Sequence, residues 1–316
     1  MRYFFLAMLG MAVCAQTSLV TAPPANPLFL PETPNRCKDC AEWNRPHPPV
    51  HVFGNTWWVG VEGLSVVAID TGAGIILLDG ALPQSVPLVK ASLATTGLKL
   101  SDVKFIGNSH PHFDHAGGIA ALQRESGATV MVSARSAEAL RSGCPNPDDP
   151  QAGLGCENNG LPQVKGEIRV IRDSEVIHLG NVALTVHLTP GHTPGGTSWT
   201  WTSCEGARCL KMVYADSLTP VSSDDFCFAP IARTLEASIA KVDALPCDVL
   251  LSAHPDASDT IERLSSPADG GRPDPAVPGQ CKEYAARARA KLKVRLAEEE
   301  KQAKAHSSSA APPAKP

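Results

Sequence analysis

Four side chains that can bind metal crowd into one short stretch of the chain: His110, His112, Asp114 and His115, within Asn108-Ser109-His110-Pro111-His112-Phe113-Asp114-His115-Ala116-Gly117-Gly118. His110 and His112, two positions apart, can point at one ion, while Asp114 and His115 turn towards a second a few ångströms away. Imidazole suits zinc, and a carboxylate adds the negative charge that a second divalent ion needs. As core residues, all four would each need a buried partner of their own, so packing explains the cluster poorly. Three further candidates lie far along the chain: His192 in Thr189-Pro190-Gly191-His192-Thr193-Pro194-Gly195-Gly196, Asp216 in Tyr214-Ala215-Asp216-Ser217-Leu218, and His254 in Ser252-Ala253-His254-Pro255. Any one of these alone is more simply structural. Together, each just after a β-like run, they converge on one chemistry.

The elements that must position them follow from the hydrophobic pattern. Short β-rich runs read as strands at residues 57–61, 64–69, 74–78, 103–107, 129–133, 182–188, 197–201, 211–215 and 248–252. Helical patterns fall at 85–96, 117–126, 136–141, 234–244 and 282–306, the last rich in Ala, Lys, Arg and Glu with Tyr284, Ala288, Leu292 and Leu296 on one stripe. Hairpins mixed with crossover helices predict a mixed sheet covered by helices. The metal-type residues then sit in loops at strand ends, where β/α folds place their sites. No internal repeat of fixed period is visible.

Composition sets the outer bounds. At 316 residues, 43% apolar and 19% charged, the chain can bury one large core or two ordinary ones. With 28 Lys+Arg against 32 Asp+Glu, the formal charge of −4 offers no general attraction to nucleic acid or anionic lipid. The apolar run at residues 3–15 after Arg2 is too short to span a bilayer and reads as a signal peptide cleaved after Ala15, before Gln16. A rival reading makes Cys14 a lipoprotein acceptor, for which Val13 is a poor neighbour. Periplasmic export without a membrane anchor is therefore expected. The expected organisation is signal peptide 1–15, Pro-rich arm 16–49, catalytic domain 50–304 and disordered tail 305–316.

Export makes disulfides the default for cysteine. Ten cysteines become nine after cleavage, an odd number that leaves at least one free or paired between chains. Cys204 and Cys209 flank Glu-Gly-Ala-Arg between two β-like runs, as at a bridged hairpin tip, and Cys247 is expected to pair with Cys281. Cys144 with Cys156 would staple the Pro/Gly/Asn-rich loop at 143–162. A redox role for Cys37 and Cys40 lacks the helix pattern that would lower a thiol pKa.

The H-x-H-x-D-H pattern resembles that of the metallo-β-lactamase superfold. The stretches from Pro190 to Trp201 and from Met212 to Thr219 resemble subclass B3 enzymes, with a likeness to the AIM type, over residues 43–299. The resemblance implies an α/β fold, an αβ/βα sandwich of two mixed β-sheets covered by helices. It implies two Zn²⁺ per chain, one on His110, His112 and His192 and the other on Asp114, His115 and His254. Ser217 stands where other subclasses carry a zinc-binding cysteine. The implied substrates are the lactam amides of penicillins, cephalosporins and carbapenems, and the implied consequence is antibiotic resistance. Ser217 and Thr219 would hold the substrate carboxylate, and the chain is expected to act as a monomer. Two zinc ions about 3.5–4 Å apart would share a water acidic enough to supply hydroxide as the nucleophile, oriented by Asp114 as the catalytic residue. One departure concerns Cys37, whose AIM-type partner position is here Glu62, so that bridge cannot form and Cys40 or no partner is left to it.

The chief rival is another hydrolase of the superfold, a glyoxalase II-like thioesterase or a lactonase, in which an Asp resembling Asp216 bridges the metals. Export and paired cysteines argue against a cytosolic thioesterase, and the charge balance against an RNA nuclease. A storage protein would close its coordination, whereas three protein ligands per ion leave room for substrate. His47, His51, His178, His187 and His306 read as structural or solvated, and Trp57, Trp58, Trp199 and Trp201 as packing. Asp79 reads equally as a hydrogen-bond partner of a ligand histidine or as a turn cap.

Overall fold

The computed structural model describes residues 33–265 and 273–309. The expected signal peptide and most of the arm, at 1–32, and the end of the tail, at 310–316, lie outside the described residues.

The described residues open with a one-turn helix, α1 (Cys40–Trp43), inside what the sequence reads as a Pro-rich arm. Strands β1 (Val50–Phe53), β2 (Thr56–Trp58), β3 (Val67–Asp70) and β4 (Ile75–Leu78) then form an antiparallel meander. Helix α2 (Val86–Thr95) crosses over to β5 (Val103–Gly107), which lies parallel to β4. After the short α3 (Phe113–Ala116) and α4 (Ile119–Ser126) comes β6 (Thr129–Val132), then α5 (Ala134–Ser142), α6 (Cys156–Asn159) and β7 (Ile168–Val170). These seven strands form one sheet in the order β1-β2-β3-β4-β5-β6-β7. The second sheet, ordered β12-β11-β10-β9-β8, comprises β8 (Val176–Leu179), β9 (Val182–Leu188), β10 (Thr197–Glu205), β11 (Arg208–Ala215) and β12 (Val249–Ser252). Helix α7 (Ala232–Asp243) links β11 to β12, and α8 (Thr260–Ser265) and α9 (Gln280–Ser309) follow.

The strands are apolar on both faces because each sheet is covered twice. Along β4, Ile76 and Leu78 enter the core between the sheets, while Ile75 and Leu77 face a second core. That second core contains Val89 and Leu93 of α2, Leu122 of α4 and Leu140 of α5. Along β12, Val249 and Leu251 enter the inter-sheet core and Leu250 faces a third, with Leu235 and Ile239 of α7 and Tyr284, Ala288 and Leu292 of α9. Period-2 alternation thus feeds two different apolar layers, the arrangement of an αβ/βα sandwich. Trp58, Trp199 and Trp201 are buried between the sheets, as packing residues.

Several boundaries differ from the sequence reading. Strands β1, β7 and β8 are additional, and β7 and β8 are edge strands of three and four residues with Val170 and Val176 exposed, too short and too mixed to show a period. β10 and β11 run on to the hairpin tip, where Cys204 pairs with Cys209. Helix α9 continues to Ser309, so residues 305–309 form its last turns rather than the start of a disordered tail, carried on by the strong helix formers of 298–305. Disulfides join Cys37 to Cys40, Cys144 to Cys156, Cys204 to Cys209 and Cys247 to Cys281. Among the described residues no cysteine is free, Cys227 included. Among the described residues no helix is long and apolar enough to cross a membrane.

Candidate metal centre and active site

The C-terminal ends of β5, β9, β11 and β12 meet at one rim of the sandwich, and each delivers part of one polar cluster. β5 ends at Gly107 and the chain passes Asn108 and Ser109 to His110 and His112; Asp114 and His115 then fall on the single turn α3, not in open loop as the sequence suggested. The two sheets are tied together at this point by Thr197 N–H donating to Ser109 O at 2.7 Å and Ser65 N–H donating to Ala253 O at 2.9 Å.

The turn from β9 to β10 carries His192 and depends on two glycines. Gly191 has φ +143°, and a Cβ there would lie 2.8 Å from the Leu235 backbone. At Gly196 a Cβ would lie 2.3 Å from Asp216 Oδ2 and 2.4 Å from Thr189 O.

Four histidines, His110, His112, His192 and His254, share one pattern, in which one ring nitrogen is engaged with an oxygen and the other is turned into the cluster. His110 Nδ1 lies 2.8 Å from Asp216 Oδ1, and its Nε2 is buried without a partner. His192 Nδ1 donates to Thr219 O at 2.8 Å, and His254 Nδ1 donates to Gly63 O at 3.1 Å. For His112 the roles reverse: Nε2 faces Asp149 Oδ1 at 3.1 Å, and Nδ1 receives a 3.4 Å contact from Gln151 Nε2. His115 Nδ1 lies 3.8 Å from Asp79 Oδ2. An oxygen acceptor on one nitrogen fixes the ring and leaves the other nitrogen's lone pair for an ion.

His110, His112 and His192 bring ligand atoms within 4.8 Å of one another. Beside them, Asp114 Oδ2, His115 Nε2 and His254 Nε2 form a triangle with edges of 3.2, 3.2 and 3.4 Å. Ligands about 2.0–2.1 Å from a tetrahedral zinc stand roughly 3.4 Å apart, a spacing that the second group matches, while the three histidines of the first are gathered within 4.8 Å. His110 can also be grouped with Asp114 and His115 within 4.8 Å, because the two clusters adjoin. The buried, partnerless His110 Nε2 is the kind of atom that an ion would satisfy.

Electrostatics match that donor set. Burial, reinforced by the neighbouring imidazoles of His115, His192 and His112, holds His110 well below the ordinary histidine range. Burial and His112 lower His192 to about 3. Burial also works against protonated His112 and His254, but Asp149 beside the first and Asp114 beside the second outweigh it and raise both. Burial pushes the Asp114 carboxyl up, yet His115 and His254 hold it well below its usual range, so it stays ionised.

Behind the cluster, Asp79 accepts from Ser109 N, Ser109 Oγ, Asn108 Nδ2 and Tyr214 OH at 2.5–2.9 Å. It therefore fixes the loop that bears His110, and both of its sequence readings capture only part of this. Ser217 is buried next to Asp216, and Thr219 Oγ1 lies 3.4 Å from His192 Nδ1, the ring edge from which Thr219 O also accepts. His47 and His51 pack on Trp58 and Trp57, and His187 bonds Thr200, away from the cluster. Sequence reasoning missed Asp149, Gln151, and Trp43 of α1, whose ring centroid is 5.3 Å from that of His254.

A two-sheet sandwich with histidines and carboxylates gathered at one rim defines a metal-dependent hydrolase of the metallo-β-lactamase fold. The family model described as "Metallo-beta-lactamase superfamily" matches residues 59–206. The solved Rm3 metallo-β-lactamase is 46% identical with a TM-score of 0.80, over 84% of this chain and 99% of that one. SMB-1, solved bound to 2-mercaptoethanesulfonate, is 40% identical with a TM-score of 0.77, over 81% and 99%. BJP-1 of Bradyrhizobium japonicum, a subclass B3 enzyme, is 31% identical with a TM-score of 0.75, over 84% and 99%. The chain belongs to the subclass B3 metallo-β-lactamases, a class of zinc-dependent enzymes.

Proposed function

We propose that the chain, after export to the periplasm, hydrolyses the lactam amide of penicillins, cephalosporins and carbapenems as a dizinc monomer and so confers resistance to them. One zinc would be held by His110, His112 and His192, the other by Asp114, His115 and His254. The observation that carries this reading is the 3.2–3.4 Å triangle of Asp114 Oδ2, His115 Nε2 and His254 Nε2 beside the three-histidine group. Bound zinc supplies an acidified water as nucleophile and a Lewis acid for the lactam carbonyl.

The chain's own residues do the rest. Asp114, kept ionised by His115 and His254, accepts a hydrogen bond from the attacking water through the carboxylate oxygen that the triangle does not use. The Ser217 and Thr219 hydroxyls bind the substrate carboxylate at the β11 end of the rim. Asp216 supports a lactamase over a thioesterase with a bridging aspartate. Its Oδ1 is engaged on His110 Nδ1, the ring edge turned away from the cluster, and its Oδ2 is 3.5 Å from Thr189 Oγ1.

The deciding experiment is steady-state hydrolysis of a chromogenic cephalosporin and a carbapenem by the zinc-loaded protein, with S-lactoylglutathione in parallel. Chelator-sensitive lactam turnover above about 10⁴ M⁻¹s⁻¹, the low end for enzymes, is expected. Zinc binding without lactam turnover overturns the reading, and thioester hydrolysis in its place substitutes the rival.

A further inference from the structure

The segment that follows α5 leaves that helix at Gly143, passes through α6, comes back where Leu161 N–H donates to Gly143 O, and is closed by the Cys144–Cys156 disulfide. Its contact with the metal cluster is carried by two residues. Asp149 is 2% exposed, and its Oδ1 faces His112 Nε2 at 3.1 Å. The same oxygen accepts from Gln151 N–H at 2.8 Å, while Asp149 N–H donates to Asn146 O and Asp149 O accepts from Ala152 N–H. The carboxylate is thus held by its own loop and aimed at one ring edge of His112. On the opposite edge, Gln151 Nε2 approaches His112 Nδ1 at 3.4 Å, and an amide N–H can only donate, so the lone pair is on Nδ1.

We infer that Asp149 is a positioning residue of the three-histidine site: by accepting the Nε2–H of His112 it fixes the tautomer and ring orientation that present Nδ1 to the ion, and the disulfide-closed loop delivers it. The inference rests on the proposed ligand set. Three of the four acceptors seen on these rings would remain if the loop were removed: Asp216 on His110, Thr219 O on His192 and Gly63 O on His254 lie on other segments. His112 alone depends on a side chain brought 37 positions along the chain by a loop without a strand of its own. A carboxylate behind an imidazole raises its strength as a ligand, and losing such a partner costs about 10–100-fold in metal affinity.

The test compares wild type, Asp149→Ala and Asp149→Asn by zinc titration of the metal-stripped full chain against a competing chelator. Histidine ring ¹⁵N spectra of the metal-free proteins at alkaline pH are recorded alongside. Asp149→Ala is expected to weaken one of two zinc sites about 10–100-fold and leave the other unchanged. Asp149→Asn, which keeps an uncharged acceptor at the same place, should recover part of that loss. In the spectra, His112 should hold its proton on Nε2 in wild type and in Asp149→Asn, and become a mixture of tautomers in Asp149→Ala. Equal zinc affinities in all three proteins, or a His112 tautomer indifferent to the substitution, overturns the inference. Should Asp149→Ala not fold, a wild-type His112 protonated on Nδ1 overturns it equally. If wild type itself binds no zinc, the ligand set fails, and the tautomer spectra still decide the Asp149–His112 relationship on their own.

Discussion

Asp216 stands directly behind His110, with Oδ1 2.8 Å from His110 Nδ1 and both side chains fully buried. Burial, followed by the charge of Asp79, pushes the Asp216 carboxyl well above its usual range, and a dication beyond the ring would act in the opposite sense. The pair is therefore built to be completed by a cation. Replacing Asp216 with Ala leaves His110 Nδ1 with no carboxylate acceptor and should weaken the three-histidine zinc about 10–100-fold, whereas Asp216→Asn should lose less. Zinc stoichiometry after dialysis against a chelator reads this directly, and unchanged occupancy in Asp216→Ala would remove the residue from the metal centre.

Gly196 is where the turn bearing His192 passes closest to Asp216. An added methyl would lie 2.3 Å from Asp216 Oδ2 and 2.4 Å from Thr189 O, and neither neighbour is free to move, one being buried on His110 and the other backbone. Gly196→Ala should destabilise by about 1–3 kcal/mol, the range for overpacking a tight interior. It should also lower zinc occupancy, because the strain falls on a carboxylate that orients a ligand. Chemical denaturation and metal analysis of the same preparation check both; a variant as stable and as zinc-loaded as wild type would show that the turn can yield.

The site was legible where chemistry is written in side chains close in sequence. His110, His112, Asp114 and His115 declare themselves, and His192 and His254 follow from their strand ends and from resemblance. What orients them was not legible. Gly63 O and Thr219 O act through backbone carbonyls, which carry no residue signature, and Asp149 acts through a loop whose path is set by packing and by the Cys144–Cys156 bridge. Strands β5 and β9 matched their predicted bounds, and along β9 buried residues alternate with more exposed ones, the period that a sequence can show. By contrast, β7 and β8 at the sheet edges have too few buried positions to show a period.

Cys247 and Cys281 bind the start of β12 to the first turn of α9 across 34 positions of chain. Closing a loop of that length restricts the unfolded state, a contribution of about 2–4 kcal/mol. The double variant Cys247→Ala, Cys281→Ala should lose stability of that order in denaturant unfolding while retaining zinc affinity, since neither residue touches the cluster. Loss of zinc with the bridge would instead tie α9 to the rim, a link the Tyr284 hydroxyl could carry through its 2.7 Å bond to Asp216 O.

Acid stability of the metal-free protein should turn on His192. Its folded pKa of about 3, lowered by burial and by His112, lies below the value of about 6.5 for an unfolded histidine. Between these values the unfolded chain binds a proton that the folded chain refuses, so stability attributable to this group is present above pH 6.5 and is lost as pH falls towards 3. His110 acts in the same direction. His112 and His254, raised by Asp149 and Asp114, act oppositely: their contribution is complete below about pH 6.5 and fades as pH rises through their folded values. Replacing His192 with Asn removes one of the histidines that burial holds low, His110, His187 and His192. The metal-free variant should lose less unfolding free energy than wild type between pH 6.5 and 4, by up to about one proton's slope, or roughly 1.4 kcal/mol per pH unit. Urea unfolding at a series of pH values measures that slope, and parallel curves for the two proteins would show that His192 is not held neutral in the folded chain.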